Sequence, residues 1–197
     1  AIQKGSLPPA ATRAEQAVMF AAAEKWLNDR GYKRLSNCHW AKDIRERSMY
    51  NILAKTGADV FPFGCGAGGF VGQYSTMQMR DLEKYITMID EGKKPIMVMS
   101  GKSPYDEVHK KISQNMEQGY LDLRGITAEN PELVQLEFIL NIWLKNGLMR
   151  KGEVMYFQTQ AGRFWQNNLT QSLLECCEYI LSQGKIKEAK PMQGMSA

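Results

Sequence analysis

Four glycines in six residues, Gly64-Cys65-Gly66-Ala67-Gly68-Gly69, limit the folding of this chain more than any other segment. Such a run costs conformational entropy and lets the backbone approach a neighbour closely, so it belongs in a turn or against a ligand. It follows Asp59 to Phe63, which reads as a buried strand. The run formally satisfies G-x-G-x-x-G, and Asp90 stands about twenty residues further on, as a dinucleotide site requires. The context differs, because those glycines open directly into a helix that receives the pyrophosphate. Here Phe70 to Ser75 intervene, and Asp90 closes a predicted helix where the motif needs a strand. Contact between the loop and a ligand is therefore expected over a turn with no further role, with Gly64, Gly66, Ala67, Gly68 and Gly69 as the binding positions.

Helix and strand periods alternate around this run. Thr12 caps a predicted helix whose apolar positions Ala14, Ala17, Val18, Ala21, Ala22 and Trp26 end at Gly31, with one face expected on a sheet. Tyr32 to Leu35 reads as a short strand and Ser36 to Trp40 as a polar loop, before a helix over Asp43 to Leu53. Met79 to Glu91 carries Leu82, Tyr85, Ile86 and Ile89 on one stripe and stops at Gly92, and Pro95 to Met99 reads as extended. This order predicts an α/β sheet with parallel neighbours. From Ser103 onward the chain is helix-rich: Ser103 to Gln118 has Ser103 as its cap, Pro104 at the first helical position and Gly119 at its end. Pro131 to Asn146 carries Leu133, Leu136, Leu140, Trp143 and Leu144, with Val134, Phe138 and Ile142 on its flanks, and a helix apolar nearly all round should be buried. Leu148 to Arg150 and Val154 to Phe157 read as a hairpin, and Arg163 to Leu181 as a last long helix, an arrangement that resembles a winged helix. The tail from Gln183 is expected to fray.

Composition excludes several classes. With 44% hydrophobic and 23% charged residues, a mean hydropathy of -0.40 and no apolar run of membrane-spanning length, the chain is neither disordered nor collagenous nor an integral helical membrane protein. The 25 basic and 21 acidic residues leave a net charge of +4 spread along the chain, too weak a field to argue for a nucleic-acid partner. The four cysteines make no disulfide framework and point to a reducing, cytoplasmic compartment. Cys176 and Cys177 are adjacent, about 3.8 Å apart at Cα where a relaxed disulfide prefers roughly 4.4 to 6.8 Å, and read as two free thiols on a helix. Ala1 to Pro9 has no leader pattern, and a first residue other than Met points to processing or a cut end, so the chain is expected to be a piece of something longer.

The remaining signals are weaker. His39 and His109 have no second ligand at a metal-site step and read as ordinary surface or strand-end histidines. Met77 and Met79 beside Tyr74 read either as core filling or as a soft apolar wall for a flat ligand. Lys145, Arg150, Lys151 and Arg163 make the winged-helix-like region mildly basic, but the last helix has few basic residues to meet phosphates. No Ser-His-Asp or Cys-His arrangement can be assembled.

Several motifs in order carry a family resemblance. Ala1-Ile2-Gln3-Lys4-Gly5-Ser6-Leu7-Pro8-Pro9, a helix, and then Gly31-Tyr32-Lys33-Arg34-Leu35-Ser36-Asn37-Cys38-His39-Trp40-Ala41 resemble the second half of the oxygen-independent coproporphyrinogen III oxidase-like radical SAM proteins, with their "AI..G.LP" and "GYE.YEISNFA" segments. Asn51 falls on the Asn of "SRHN", and Asp59 to Gly69 on the last barrel strand and glycine loop. Asp81 to Tyr85, Gly92 to Ile96 and Thr159 to Trp165 are similar to later family segments. Arg34-Leu35 replaces Glu-Ile, Cys38-His39-Trp40 replaces Phe, and Tyr50-Asn51-Ile52-Leu53 replaces "HN..YW". Phe63 to Gly69 continuing to Gln78 is similar to the heme-utilisation branch, the anaerobic heme-degrading radical SAM methyltransferases.

The resemblance implies an α/β chain: the last strands of a partial (β/α) radical SAM barrel over residues 1–100, a helix-rich, winged-helix-like domain over 101–182, and a flexible tail over 183–197. It implies the C-terminal portion of an enzyme that acts on heme or a related porphyrin by methyl transfer with opening of the macrocycle. Coproporphyrinogen III oxidase or a heme chaperone on the same fold is the first alternative, and a winged-helix nucleic-acid-binding module the second. S-adenosylmethionine and a [4Fe-4S] cluster belong to the full-length protein. The cysteine gaps of 27, 111 and 1 lack the CxxxCxxC spacing, so this chain alone is expected to hold neither the cluster nor activity. The implied partners are the porphyrin and the missing N-terminal half, with neither membrane nor nucleic acid. Asn37 joins the glycine loop as a cofactor-binding position, and Asn51, Tyr74 and Met77 are the expected substrate-binding positions.

Overall fold

The computed structural model describes residues 9–43, 45, 49–55, 58–72 and 74–182, and for Asn51, Ile52 and Lys55 the backbone alone. The expected fraying of the tail from Gln183 lies outside these residues. The fold is mixed α/β, as expected, and the described strands form small sheets of two, three and three strands. It divides into two compact units after Gly119, where the sequence reading places a boundary after residue 100.

In the first unit, α1 (Arg13–Asp29) begins at a reciprocal cap: Thr12 Oγ1 accepts from Glu15 N at 3.3 Å, and Glu15 Oε2 accepts from Thr12 N at 2.7 Å. Only Glu24 is buried along α1, while Val18, Met19 and Trp26 are more than half exposed. A packing face is present but rotated from the predicted stripe: Gln16, Ala17, Phe20, Ala21, Glu24 and Leu27 are half-buried or buried at steps of three and four. Next, β1 (Lys33–Arg34) pairs antiparallel with β2 (Trp40–Ala41), and α2 spans Met49–Lys55. The main sheet has the order β3 (Gly68–Val71), β4 (Tyr74–Gln78), β5 (Ile96–Gly101), and both pairings are antiparallel. This corrects the expectation of parallel neighbours: β3 turns back into β4 at Gly72, whose φ of 59° is the left-handed region, and a connection this short permits only an antiparallel pair.

The expected buried strand over Asp59 to Phe63 is also corrected. Only Val60 bridges, to Phe70, while Phe61 and Phe63 are exposed. Pro62 has no N–H to give a ladder. Helix α3 (Leu82–Asp90) is capped by Asp81, which accepts from Lys84 N at 3.0 Å. Helix α4 (Asp106–Gln118) begins two residues later than predicted, because Ser103 forms a turn, accepting from Tyr105 N through Oγ and from Asp106 N through its carbonyl.

The second unit runs β6 (Tyr120–Leu121), α5 (Leu123–Thr127), a 3-10 turn (Pro131–Leu136), α6 (Glu137–Lys145), β7 (Met149–Lys151), β8 (Tyr156–Gln158), α7 (Gln160–Phe164) and α8 (Gln166–Leu181). Its sheet has the order β6-β8-β7, all antiparallel, so the predicted hairpin is present and gains a third strand. The predicted last helix breaks at Trp165 into α7 and α8. Thr159 caps α7 by accepting from Gly162 N at 3.1 Å. Leu121, Ile126, Leu133, Leu136, Leu140, Leu173 and Cys177 form the fully buried core. The Pro131 to Asn146 segment is not buried all round: Leu133, Leu136, Leu140 and Trp143 face the core, while Phe138 is 75% exposed and Val134 and Ile142 are also open. A stripe at helical spacing satisfies the core, and the flanking residues lie beyond its edge.

Candidate functional site

Helix α4 is withdrawn from solvent on two sides. Val108, Ile112 and Met116 are buried, and another stripe sets Asp106, His109, Lys110, Ser113, Gln114 and Glu117 at steps of three and four. All six of these polar residues are half-buried. They line a cleft of about 370 Å³ whose remaining lining, Ala54, Ala58, Val60 and Phe70, is apolar. Val60 and Phe70 hold each other there through two backbone hydrogen bonds of 2.7 and 2.9 Å.

Among the lining residues Asp106 and Glu117 are acidic and Lys110 basic. Lys110 Nζ lies 3.0 Å from Asp106 Oδ2 and 3.5 Å from Glu107 Oε1, and Lys102 Nζ lies 3.6 Å from the same Asp106 oxygen. The hydrogen bond from Lys110 to Asp106 holds the ammonium protonated above its ordinary range, against the smaller opposing effect of burial. Both ammonium groups also face the Phe70 ring, at 5.2 Å for Lys102 and 5.6 Å for Lys110. The arrangement suits an amphiphilic ligand with one apolar surface and one hydrogen-bonding edge.

The loop after β1 is tied to the C-terminal end of α4. Arg34 Nη2 donates to Gln118 O at 3.2 Å, and Glu117 Oε1, a cleft residue, accepts from Asn37 N at 3.2 Å. Gly119 ends α4 at φ 92°, and a Cβ there would strike the Arg34 guanidinium. Arg34, where the family pattern has Glu, thus serves as a cap on the carbonyl end of a helix remote in sequence. Asn37 comes next to the cleft through its backbone.

The other sequence-derived positions are dispersed. Asn51 lies on the backbone of α2, which gives Ala54 to the cleft, and its side chain is outside the described residues. Tyr74 and Met77 are three residues apart on β4 with no bulge between them, so they face opposite sides of the sheet and do not form one wall. None of the five glycine-loop positions lines the cleft, although Phe70, the next residue, does. In the loop Gly64 and Gly66 take φ values of 95° and 73°. Gly66 N donates to Met79 O at 2.8 Å, and Gln78 N to Ala67 O at 2.8 Å. Gly69 is approached by the chain itself: a Cβ there would overlap Val60 O and come within 2.5 Å of Pro62 Cδ. At Gly68 the nearest atom to a Cβ is Thr76 O at 3.9 Å. His109, read from sequence as an ordinary histidine, is a cleft residue. The signal for the cleft was in the sequence, as six polar residues at helical spacing beside an apolar stripe.

Among the described residues, no three of His, Cys, Asp and Glu gather as a metal site. All four thiols are free, with Cys38 and Cys65 exposed. Burial, then the charge of Glu178, pushes the Cys177 thiol from 9.0 up to about 11, and burial, then Glu175, pushes Cys176 up as well. Cys38 and Cys65 are expected to react first with a thiol reagent near pH 8, and Cys177 only on unfolding. Mass mapping of the labelled sites checks this, and early labelling of Cys177 would contradict it. Because the folded thiol titrates above the unfolded one, the stability it contributes is present below pH 9 and should be lost as pH rises toward about 11.

No protein-family model matches the chain. It is 33% identical over 179 residues to anaerobilin synthase from Escherichia coli O157:H7, a match covering 90% of this chain and 39% of that protein. Coproporphyrinogen III oxidase from Escherichia coli, described as a radical SAM enzyme, superposes on 83% of this chain with a TM-score of 0.63 and 15% identity, covering 42% of that structure. The chain thus spans about two fifths of the length of each. The resemblance carried by the sequence motifs agrees with both comparisons, and no described helix is long and apolar enough to cross a membrane.

Proposed function

We propose that this chain is the C-terminal part of a radical S-adenosylmethionine enzyme of the coproporphyrinogen III oxidase-like family that acts on heme or a related porphyrin. The observation that carries the reading is the 33% identity with anaerobilin synthase over 90% of the chain. In this reading the complete enzyme transfers a methyl group and opens the macrocycle in the cytoplasm. The first unit, to Gly119, is the part that adjoins the barrel in this reading, and the second, from Tyr120, is the helix-rich, winged-helix-like domain. S-adenosylmethionine and the [4Fe-4S] cluster are held by the preceding portion, since the cysteines present do not fit a cluster. The cleft along α4, with an apolar surface and a polar edge, suits part of a flat amphiphilic macrocycle; Gly64, Gly66, Ala67, Gly68, Gly69 and Asn37 are kept as the proposed cofactor-binding positions, and Asn51 with either Tyr74 or Met77, which face opposite sides of β4, as the substrate-binding ones. Exposed apolar side chains in the first unit support a covering portion: Met97, Val98 and Met99 on the edge strand β5, and Leu82, Ile86 and Ile89 on α3.

The test begins with the reading frame upstream of Ala1, expected to add roughly 200 or more residues including CxxxCxxC, because a barrel needs its other strands. A start codon within a few residues of Ala1 would overturn the reading. The complete protein should then consume heme anaerobically with S-adenosylmethionine. Consumption of coproporphyrinogen III instead would favour the oxidase alternative. The chain as given, reconstituted anaerobically with iron and sulfide, should hold no cluster; about four irons per chain, lost in Cys65→Ala, would contradict this.

A further inference from the structure

The polar edge of the cleft along α4 is held by a junction that lies outside its lining. The carbonyls of a helix's last turn find no N–H within the helix, and they carry its negative end. Helix α4 has no basic residue of its own in that turn. The cation comes from β1, 84 positions away in sequence, where Arg34 Nη2 donates to Gln118 O at 3.2 Å. Gly119 leaves room for it, since a Cβ there would overlap the guanidinium. One residue before Gln118, Glu117 Oε1 accepts from Asn37 N at 3.2 Å, so β1 and the loop after it grip the same turn twice. Met116, fully buried, seats the neighbouring face of that turn.

We propose that Arg34 is a positioning residue for this cleft, a role that rests on reading the cleft as part of the substrate site. Arg34 is not among the residues that line the cleft, and it acts through the helix end. With Gln118 O and the Glu117 carboxylate both held, the last turn of α4 is restrained against rotation and sliding. Ser113, Gln114 and Glu117 then stay in the lining with Val60 and Phe70. A ligand meets a polar edge already in place, and little of its binding free energy goes into ordering that edge. The family pattern has Glu where this chain has Arg34. A carboxylate there would meet the carbonyl end of α4 and the neighbouring Glu117, so the guanidinium is matched to this chain's own Glu117 and Gly119.

The full chain is titrated with ferric heme, followed by its Soret absorbance, beside a thermal melt of each variant. Arg34→Glu is expected to weaken heme binding about tenfold or more, the scale of one lost charge-assisted hydrogen bond. Gly119→Ala, which displaces the guanidinium without altering any charge, should weaken it as well. The double variant should bind no more weakly than Arg34→Glu alone, because both substitutions remove one contact. Each also lowers the melting temperature, so Asp81→Ala is the comparison: it removes a cap from α3 in the same unit, lowers the melting temperature, and leaves heme affinity parental. If Arg34→Glu does not fold, Arg34→Gln carries the same test by withdrawing the charge alone. Parental affinity in folded Arg34 and Gly119 variants, an equal loss in Asp81→Ala, or no saturable heme binding by the parent chain would overturn the proposal. Turnover by the complete protein is read separately: consumption of coproporphyrinogen III instead of heme overturns the substrate reading, while the affinities of these variants decide the role of Arg34.

Discussion

Gly68→Ala is expected to fold normally and to lose heme turnover in the complete enzyme, whereas Gly69→Ala, one residue on, is expected to lose stability first. The difference lies in what surrounds each backbone. A methyl group at Gly68 finds only Thr76 O, at 3.9 Å, an ordinary van der Waals distance on a strand. At Gly69 the same group overlaps Val60 O and lies 2.9 Å from Pro62 N, backbone atoms that cannot swing aside. Overpacking of this kind costs typically about 1–3 kcal/mol, and contact with backbone atoms places Gly69→Ala at the upper end. Gly66→Ala falls between, at about 1 kcal/mol, because its φ of 73° is left-handed while its nearest neighbour is Arg80 Cγ at 3.7 Å. Thermal melts of the three variants, paired with anaerobic heme consumption, separate a loop facing a ligand from a loop that is only a turn. A stable Gly68→Ala enzyme working at the parental rate would remove the ligand contact.

The second large effect is expected from filling the cleft along α4. Ser113 is half-buried in its lining, midway along the polar stripe. An indole there would take up much of a space of about 370 Å³. Ser113→Trp should lower turnover in the complete enzyme by about a hundredfold or more, the scale on which misplacing a bound substrate acts. Ser113→Ala, which removes one hydroxyl, should stay within a few fold of the parent. If the tryptophan variant does not fold, Ala58→Leu narrows the same cleft from its apolar lining. Parental turnover in a folded cleft-filling variant would detach the site from the reaction.

Local chemistry in this sequence reads through to structure where partners lie a few residues apart. Thr12 with Glu15, Asp81 before α3, Gly119 at the end of α4 and the β7–β8 hairpin all behave as their residue types dictate, because caps and tight turns are closed by groups within one or two helical turns of each other. Prediction is weaker where a local signal is shared by two outcomes. Asp59 to Phe63 has the apolar content of a buried strand, but Pro62 withholds a ladder donor and the segment makes one bridge. Pro131 to Asn146 is apolar on several sides, and sequence alone could not say which side the core would take and which it would leave open.

By itself, then, the sequence determined the start of α1 at Thr12, the end of α4 at Gly119, the β7–β8 hairpin and the family resemblance, since each is written in spacing along a short stretch or in the order of motifs. Only the tertiary structure decided the antiparallel register of β3, β4 and β5, the use of Arg34 and Asn37 to hold the end of α4, and the meeting of that helix with Val60 and Phe70 in one cleft. These join residues separated by tens of positions. Their free energy comes from surfaces and hydrogen-bonding groups that meet only after the chain has closed, and no local period records which distant partner each will find.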